Sequence, residues 1–193
     1  MVFNTGVLLG RFQHIHIGHE KLIEIGLSIC DKLLIFVGSA SSKKSIRNPY
    51  DVEYRINLIE KIYKKEIDDG RIIIRKIDDI TNENDLTYLW GEYVIAESTK
   101  ELNSRPECII YGKDKNIFKC FSKNTVKNIT EVMVDRDQLM ISATKMREFL
   151  LNDDEKSWKL YSNEKIHMEY KKLRNELLKV VGGNMNEELK RRC

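Results

Sequence analysis

The chain has 193 residues, and its 33 lysines and arginines nearly balance its 30 aspartates and glutamates, which leaves a formal net charge of +3. So small an excess predicts neither a nucleic-acid partner nor a membrane-surface partner. No apolar run approaches the roughly 20 residues of a transmembrane helix, and the N-terminus lacks the pattern of a signal peptide. The four cysteines include no Cys-x-x-Cys pair, which favours free thiols over disulfides or a zinc site. We therefore predict a soluble cytoplasmic protein.

Short apolar runs alternate with helical patterns along most of the chain. The runs that we predict as strands are residues 6–9, 33–37, 72–74, 108–111 and 132–134. The segments that we predict as helices between them are residues 20–29, 51–67 and 86–98. Strands that alternate with helices favour a parallel sheet covered on both faces. We therefore predict a doubly wound, Rossmann-like α/β fold with a five- or six-stranded parallel sheet.

Beyond residue 153 the pattern becomes purely helical. The apolar residues that recur there at helical spacing are Ile166, Tyr170, Leu173, Leu177 and Val181. Gly182 and Gly183 follow, and we predict that they end this helix as a C-cap. We divide the chain into a domain over residues 1–153 and a C-terminal helical extension over residues 154–193 that packs on it. The same apolar stripe could meet a second copy of the chain, and we expect a homo-oligomer.

Three of the four histidines lie within six residues, at His14, His16 and His19, between the first predicted strand and the first predicted helix. Such a cluster could form a metal site, an acid–base pair or a nucleophile, and imidazoles also donate hydrogen bonds to phosphates. The position favours phosphate, because the first amides of a helix are unpaired and its dipole attracts negative charge. We therefore predict an anion site where this helix begins.

Two further polar segments follow predicted strands. Residues 38–50 follow the second strand and are rich in hydroxyls and cations. Residues 141–147 follow the fifth strand, and Ser142 or Thr144 could cap a short helix that carries Arg147. In an open parallel sheet, ligands bind beyond the carboxyl ends of the strands. Helix-end amides, hydroxyls and an arginine at that edge suit a polyphosphate.

These segments resemble the signatures of a family of nucleotidyltransferases. Residues 10–19 are similar to its GRFQPFHxGH signature, and residues 141–147 are similar to its ISxTxxR signature. Residues 38–55 resemble a segment that is typical of archaeal-type nicotinamide mononucleotide adenylyltransferases and of bacterial relatives fused to a Nudix hydrolase. The chain departs from the first signature at His14 and Ile15, where Pro-Phe is usual, and His14 could add a phosphate contact.

The resemblance implies a nucleotidyltransferase domain over residues 1–153 that transfers AMP from ATP to nicotinamide mononucleotide by direct in-line attack, giving NAD and pyrophosphate. The catalytic residues that it implies are Arg11, His16, His19 and Arg147. The residues implied to bind ATP are Gly10, Arg11, Phe12, His16, Gly18, His19, Gly112, Asp114, Ile141, Ser142, Thr144 and Arg147. The residues implied to bind the acceptor are Ser39, Arg47, Asn48, Asp79 and Trp90. We expect Mg²⁺ to be held mainly by the ATP phosphates, without an all-protein metal site.

The residues implied to bind the acceptor would contact different parts of it. Arg47 is the expected ligand of the acceptor phosphate. Trp90 could stack on the nicotinamide ring or pack at the rim of the site. Asp79 could hydrogen-bond the pyridine amide or a ribose, or be a solvated loop acid.

Several alternatives stay open at this point. The same chemistry could act on nicotinate mononucleotide, phosphopantetheine or flavin mononucleotide, or use CTP in place of ATP. The fold could also serve as a nucleotide-binding sensor without turnover. The string His-Ile-Gly-His also occurs in class I aminoacyl-tRNA synthetases, but those enzymes are much larger and carry a KMSKS loop, which residues 144–147 do not match.

Overall fold

The computed structural model describes residues 1–42, 44–82, 87–113, 117–135 and 141–191, with side chains described through residue 183. The strands of its sheet are β1 (Phe3–Gly10), β2 (Cys30–Val37), β3 (Ile72–Lys76), β4 (Cys108–Gly112) and β5 (Thr130–Val134). Neighbouring strands are parallel, and their order across the sheet is β3-β2-β1-β4-β5. The predicted doubly wound α/β fold is therefore confirmed, with the smaller of the two predicted strand numbers.

The helices are α1 (Ile17–Ile29), α2 (Val52–Asp68), α3 (Leu89–Leu102), α4 (Ala143–Leu151), α5 (Glu155–Leu160) and α6 (Tyr170–Arg191). Among the described residues, Ile117–Cys120 and Glu164–Glu169 form 3₁₀ turns. Residue 86, where we predicted the third helix to begin, lies outside the described residues, and α3 begins at Leu89. Over the part of the chain that the structure describes, no helix combines the length and the apolarity needed to cross a bilayer.

The two faces of the sheet are covered by separate apolar cores, which explains why the buried middle of each central strand is a continuous apolar run. Leu33 and Ile35 of β2 belong to a core that includes residues of α1, α2 and α6. Leu34 and Phe36 belong to the opposite core, with residues of α3. Because successive strand side chains point to opposite faces, a strand buried on both sides must be apolar at every position.

The C-terminal helices belong to the first of these cores. Trp158 of α5 and Leu173 of α6 are completely buried in one cluster with Phe12 and Ile15, which lie in the loop after β1. The C-terminal helices thus support the back of the loop that carries the histidines.

The helix α6 passes through Gly182 and Gly183 and continues to Arg191, so the C-cap predicted at these glycines is wrong. Neither glycine has the positive φ of such a cap. A glycine inside a helix costs about 1 kcal/mol relative to alanine, which weakens the helix without ending it.

Cys30 and Cys108 lie buried where β2 and β4 begin, with their Sγ atoms 3.5 Å apart. The strand β1 lies between β2 and β4, so the two thiols meet across it. Both are free cysteines in the structure, which agrees with the prediction of free thiols.

Candidate active site

A cleft of about 890 Å³ opens at the carboxyl ends of the strands. It is lined by residues that follow each of the five strands. β1 pairs with β2 on one side and with β4 on the other, so the strand order reverses at β1. This is the position at which open α/β sheets bind their ligands, and the volume suits a large ligand or two smaller ones.

The cleft brings together most of the residues that the sequence predicted. Those that line it are Gly10, Arg11, Phe12, His16, His19, Ser39, Arg47, Asn48, Asp79, Trp90, Gly112, Ile141, Ser142, Thr144 and Arg147. Gly18 is not among the lining residues, and Asp114 lies outside the described residues. Lining residues that the sequence reasoning missed include Thr81, Asn82, Tyr88, Ile117 and Cys120. They follow β3 and β4, so the same positional rule could have found them.

His16 caps the amino end of α1, and this fixes its tautomer. Its Nδ1 accepts a hydrogen bond from the amide of Gly18 at 3.1 Å, so the proton of the neutral ring lies on Nε2. A Cβ on Gly18 would lie only 2.9 Å from Cε1 of His16. Glycine at position 18 therefore leaves room for the His16 ring to lie over the first turn of α1. The Nε2–H of the ring stays available as a donor.

His19 lies between two other rings. Its centroid is 4.0 Å from that of His16 and 4.8 Å from that of Phe12. Phe12 is buried with a φ of 48°, a left-handed conformation that is strained for a bulky residue. The surrounding structure must impose this conformation, and it places the phenyl ring against the imidazole pair.

The first amides of α1 are already bonded, so the predicted amide-based anion site at this helix is wrong. Ile17 donates to the carbonyl of Tyr161 at 3.0 Å, and Gly18 donates to the His16 ring. His19 donates its amide to the His16 carbonyl at 2.7 Å. Side chains, rather than backbone amides, are left to contact an anion at this helix.

The amino end of α4 remains open to the cleft. Ser142 is its N-cap, since its Oγ accepts from the amide of Lys145 at 3.2 Å. Ser142, Ala143 and Thr144 line the cleft. The positive end of the α4 dipole therefore faces the space that a ligand would occupy.

Three arginines converge on this space: Arg11 and Arg47 come from the loops after β1 and β2, and Arg147 comes from helix α4. Arg147 donates to the carbonyl of Gln13 at 3.2 Å and to Oγ1 of Thr144 at 3.1 Å. Burial lowers the pKa of Arg147, and the positive charges of Arg11 and Arg47 lower this pKa further. Because like charges held close together repel one another, an anionic ligand would relieve the repulsion.

Three hydrogen bonds join the loops after β2 and β3: the amides of Ala40 and Ser41 donate to the carbonyl of Ile77 and to Oδ1 of Asp78, and the third links two side chains. Ser39 donates its hydroxyl to Oδ2 of Asp79 at 2.5 Å, and this fixes the Asp79 carboxylate at the cleft wall.

Oδ1 of Asn48 is buried without a hydrogen-bond partner among the described residues. A polar ligand group could satisfy this acceptor.

Trp90 is half-buried in the first turn of α3. The backbone of α3 at Gly91 lies close to the backbone of Cys120, and this contact holds Trp90 in place. Its ring meets Phe121 edge-on at 6.0 Å between centroids. A Cβ on Gly91 would fall 2.3 Å from the carbonyl oxygen of Cys120, so α3 can pack this closely only with glycine there. This contact holds the indole at the cleft wall.

His14, in contrast, points away from the cleft, so the suggested phosphate contact is wrong. It is completely buried, and its Nε2 accepts from Nε1 of Trp158 at 2.9 Å. Its Nδ1 lies 2.6 Å from the carbonyl oxygen of Ile15, so this nitrogen carries the proton and donates it. Burial lowers the pKa of His14 to about 4.

We expect acid to destabilise the fold through His14. Below pH 6.5 the unfolded chain takes up a proton on this ring, whereas the folded chain does so only near pH 4. The contribution of His14 to the free energy of unfolding is therefore fully present above pH 6.5 and is lost as the pH falls toward 4. At about 1.4 kcal/mol per pH unit, the loss reaches about 3 kcal/mol. Denaturant unfolding at several pH values measures it.

The variant His14→Gln keeps an acceptor and a donor but does not titrate, so the difference between wild type and variant isolates this group. His167→Gln is the matched control, because His167 is the one histidine outside the cluster. Equal pH dependence in wild type and His14→Gln would contradict the assignment.

Comparisons with known proteins point to one family. The profile of the cytidylyltransferase-like family matches residues 7–150. The nicotinamide/nicotinic acid mononucleotide adenylyltransferase of Acinetobacter baylyi is 32% identical over 149 residues, which cover 76% of this chain and 74% of that protein. The nicotinamide-nucleotide adenylyltransferase of Thermococcus sibiricus is 27% identical over 149 residues, which cover 77% of this chain and 74% of that protein.

A solved structure has the same fold. It is a bifunctional NMN adenylyltransferase/ADP ribose pyrophosphatase of Francisella tularensis, complexed with AMP and manganese ion. The TM-score is 0.64 at 20% identity, covering 97% of this chain and 55% of that one. This chain therefore spans about half the length of that bifunctional protein.

Proposed function

The chain belongs to the cytidylyltransferase-like family, and on this premise we propose that it transfers the AMP moiety of ATP to nicotinamide mononucleotide. The products are NAD and pyrophosphate. The observation that carries the proposal is the convergence of Arg11, Arg47 and Arg147 on one cleft beside two imidazoles. Relatives named for this activity support the choice of nucleotide and acceptor.

The reaction needs alignment more than proton transfer. A phosphate oxygen of the mononucleotide attacks the α-phosphorus of ATP, and the bond from that phosphorus to the β-bridging oxygen breaks. Pyrophosphate leaves with the electron pair. Because the attacking phosphate is already an anion, no general base is required. Catalysis then comes from holding the two substrates in line and from stabilising the charge that develops.

The imidazole pair supplies hydrogen-bond donors for that charge. His16 donates from Nε2, the nitrogen that its bond to Gly18 leaves protonated. His19 acts beside it, held by the Phe12 ring. Donors fixed in place before the reaction stabilise the transition state more than mobile water does.

The far phosphates of ATP suit the amino end of α4. Arg147 and the hydroxyls of Ser142 and Thr144 would bind the β- and γ-phosphates, and Arg11 would neutralise the α-phosphate. The planar fork of Arg147 is oriented by Gln13 and Thr144, so little order must be gained on binding.

The mononucleotide would occupy the other part of the cleft. Arg47 binds its phosphate, and Trp90 offers a face for the pyridine ring. Asp79 is oriented by Ser39 and accepts from an amide or a ribose hydroxyl. Asn48 adds a buried acceptor oxygen.

We propose that Mg²⁺ is the metal and that it enters on the triphosphate. Among the described residues, no group of three or more His, Cys, Asp or Glu side chains is arranged to hold a metal ion. We therefore assign no step to a metal held by these residues. Mg²⁺ bound by phosphates and water needs few protein ligands.

We also propose residues 1–153 as the nucleotidyltransferase domain and residues 154–193 as a helical extension packed on it. Further proposals are a homo-oligomeric state, which light scattering tests, and a cytoplasmic location. The free thiols of Cys30 and Cys108 fit a reducing compartment.

We expect Arg47→Ala to raise KM for the mononucleotide about tenfold or more, because a charge-assisted hydrogen bond contributes about 1.5–3 kcal/mol. The KM for ATP should change much less. Arg75→Ala is the matched control, since Arg75 is exposed and pairs with Glu101 instead of lining the cleft. An unchanged mononucleotide KM in Arg47→Ala, measured by steady-state kinetics, would remove Arg47 from this role.

One assay tests the function as a whole. The protein is incubated with Mg²⁺ and ATP and, in separate reactions, with nicotinamide mononucleotide, nicotinate mononucleotide, phosphopantetheine or flavin mononucleotide. Chromatography then identifies the adenylylated product. We expect NAD from the first mixture. Product only from another acceptor would reassign the substrate, and ATP binding without any product would indicate a sensor.

A further inference from the structure

Arg55 lies in the first turn of α2 and is 1% exposed, and it does not line the cleft. Its guanidinium donates four hydrogen bonds, and every acceptor is a backbone carbonyl. Nε donates to Tyr50 at 3.1 Å, and Nη2 donates to Ser39 at 3.1 Å. Nη1 donates to Arg11 at 2.5 Å and to Gly38 at 2.7 Å. Four of the five N–H donors of the guanidinium thus join pieces of the main chain.

The four carbonyls belong to two loops that line different parts of the cleft. The carbonyl of Arg11 lies in the loop after β1, which leads into the imidazole pair. Those of Gly38 and Ser39 open the loop after β2, and that of Tyr50 closes it. By the proposed function, the first loop serves ATP and the second serves the acceptor. Arg55 is therefore bonded to the walls of both subsites.

The need for arginine here follows from its shape. A buried cation is unfavourable unless its hydrogen-bonding capacity is satisfied, and carbonyl acceptors satisfy this one without a carboxylate. Burial lowers the pKa of Arg55 to about 10, which still leaves it charged at neutral pH. The planar fork sends rigid donors in several directions at once, whereas a lysine ammonium concentrates its donors at one point.

The distance between the two loops affects the rate of transfer more than it affects the binding of either substrate alone. In-line transfer requires the attacking oxygen and the phosphorus to lie about 3–3.5 Å apart, and a misplacement of about 1 Å can cost about a hundredfold in rate. A shift of one loop relative to the other would leave each subsite intact while spoiling their alignment.

We propose that Arg55 is a positioning residue that sets the distance between the ATP loop and the acceptor loop. This inference rests on the proposed function, because it assigns one substrate to each loop. It predicts a distinctive kinetic pattern: kcat depends on Arg55, whereas the affinity for each substrate by itself does not.

The test uses Arg55→Lys, which keeps the charge and removes the fork, and Arg55→Gln, which keeps one NH₂ donor group and removes the charge. Circular dichroism establishes that each variant is folded. Calorimetry measures the dissociation constants of ATP alone and of nicotinamide mononucleotide alone, and the NAD assay measures kcat per ATP-binding molecule. We expect kcat to fall about a hundredfold in Arg55→Lys, with each dissociation constant within about threefold of wild type.

Arg71→Lys is the matched control. Arg71 also donates to two backbone carbonyls, those of Leu27 and Cys30, but it precedes β3 at the opposite end of the sheet. Its replacement should lower the melting temperature and leave kcat unchanged. Since both variants lose bonds to carbonyls, the comparison separates a general loss of stability from a loss of alignment.

The outcomes are separable. A near-normal kcat in folded Arg55→Lys, an equal loss of kcat in Arg71→Lys, or a loss confined to the affinity for one substrate would overturn the inference. If Arg55→Lys does not fold, the same criteria apply to Arg55→Gln, and a near-normal kcat in that variant overturns the inference. The proposed function fails independently, when the wild-type protein itself makes no NAD.

Discussion

Replacing His19 with alanine should lower kcat by about a hundredfold to a thousandfold, the size expected for loss of one preorganised donor to the transition state. The ring lies 4.0 Å from His16 and lines the cleft beside Arg11. Its removal also frees the ring of Phe12, whose backbone conformation is already strained. The fold should survive, because the apolar cores do not include His19.

The measurement is kcat under saturating ATP and mononucleotide, with melting temperature recorded beside it. His167→Ala is the matched control, since it removes an imidazole that lies in the C-terminal extension and not in the cleft. A kcat close to wild type in folded His19→Ala would remove the residue from the catalytic role. The conservative variant His19→Gln, which restores an N–H donor, should recover part of the rate.

Replacing Arg147 with methionine should lower kcat/KM for ATP by about a hundredfold or more, because charge-assisted bonds to phosphate contribute about 1.5–3 kcal/mol each. The ligand-free protein should lose little stability. Two hydrogen bonds disappear, but so does the repulsion of Arg147 by Arg11 and Arg47. Such a trade of activity against stability is expected where like charges are gathered for a ligand.

Two readouts distinguish this role from a structural one. The rise in melting temperature that ATP produces should shrink in Arg147→Met, because a weaker ligand stabilises the native state less. Lys145→Met is the matched control, since Lys145 lies on the same helix, is exposed and pairs with Glu148. An undiminished ATP-induced shift in Arg147→Met would contradict a phosphate contact.

The sequence predicts the sheet well because the segments buried on both faces must be continuous apolar runs. Leu33 to Phe36 alternate between two cores, and both cores demand apolar side chains. The cleft is also predictable, since parallel strands bring the residues that follow them to one edge. Arg47 and Arg147, about 100 residues apart in the chain, line the same cleft for this reason.

What the sequence did not predict depends on contacts with no local pattern. Arg55 donates to backbone carbonyl oxygens. Every residue has such an oxygen, so the sequence does not indicate which ones Arg55 contacts. His14 meets Trp158 across 144 positions of chain, and the Tyr161 carbonyl takes the first amide of α1. The Tyr161 contact, together with the local bonds of Gly18 and His19 to His16, leaves side chains rather than amides to contact an anion there.

The placement of the two tryptophans has an optical consequence. Trp158 is completely buried against His14, whereas Trp90 is half-buried at the wall of the cleft. An indole in the cleft changes its emission when a ring stacks on it, while an indole in the core reports on unfolding and on the protonation of its imidazole neighbour. Intrinsic fluorescence thus contains two separable signals, and Trp90→Phe leaves only the one that follows the fold.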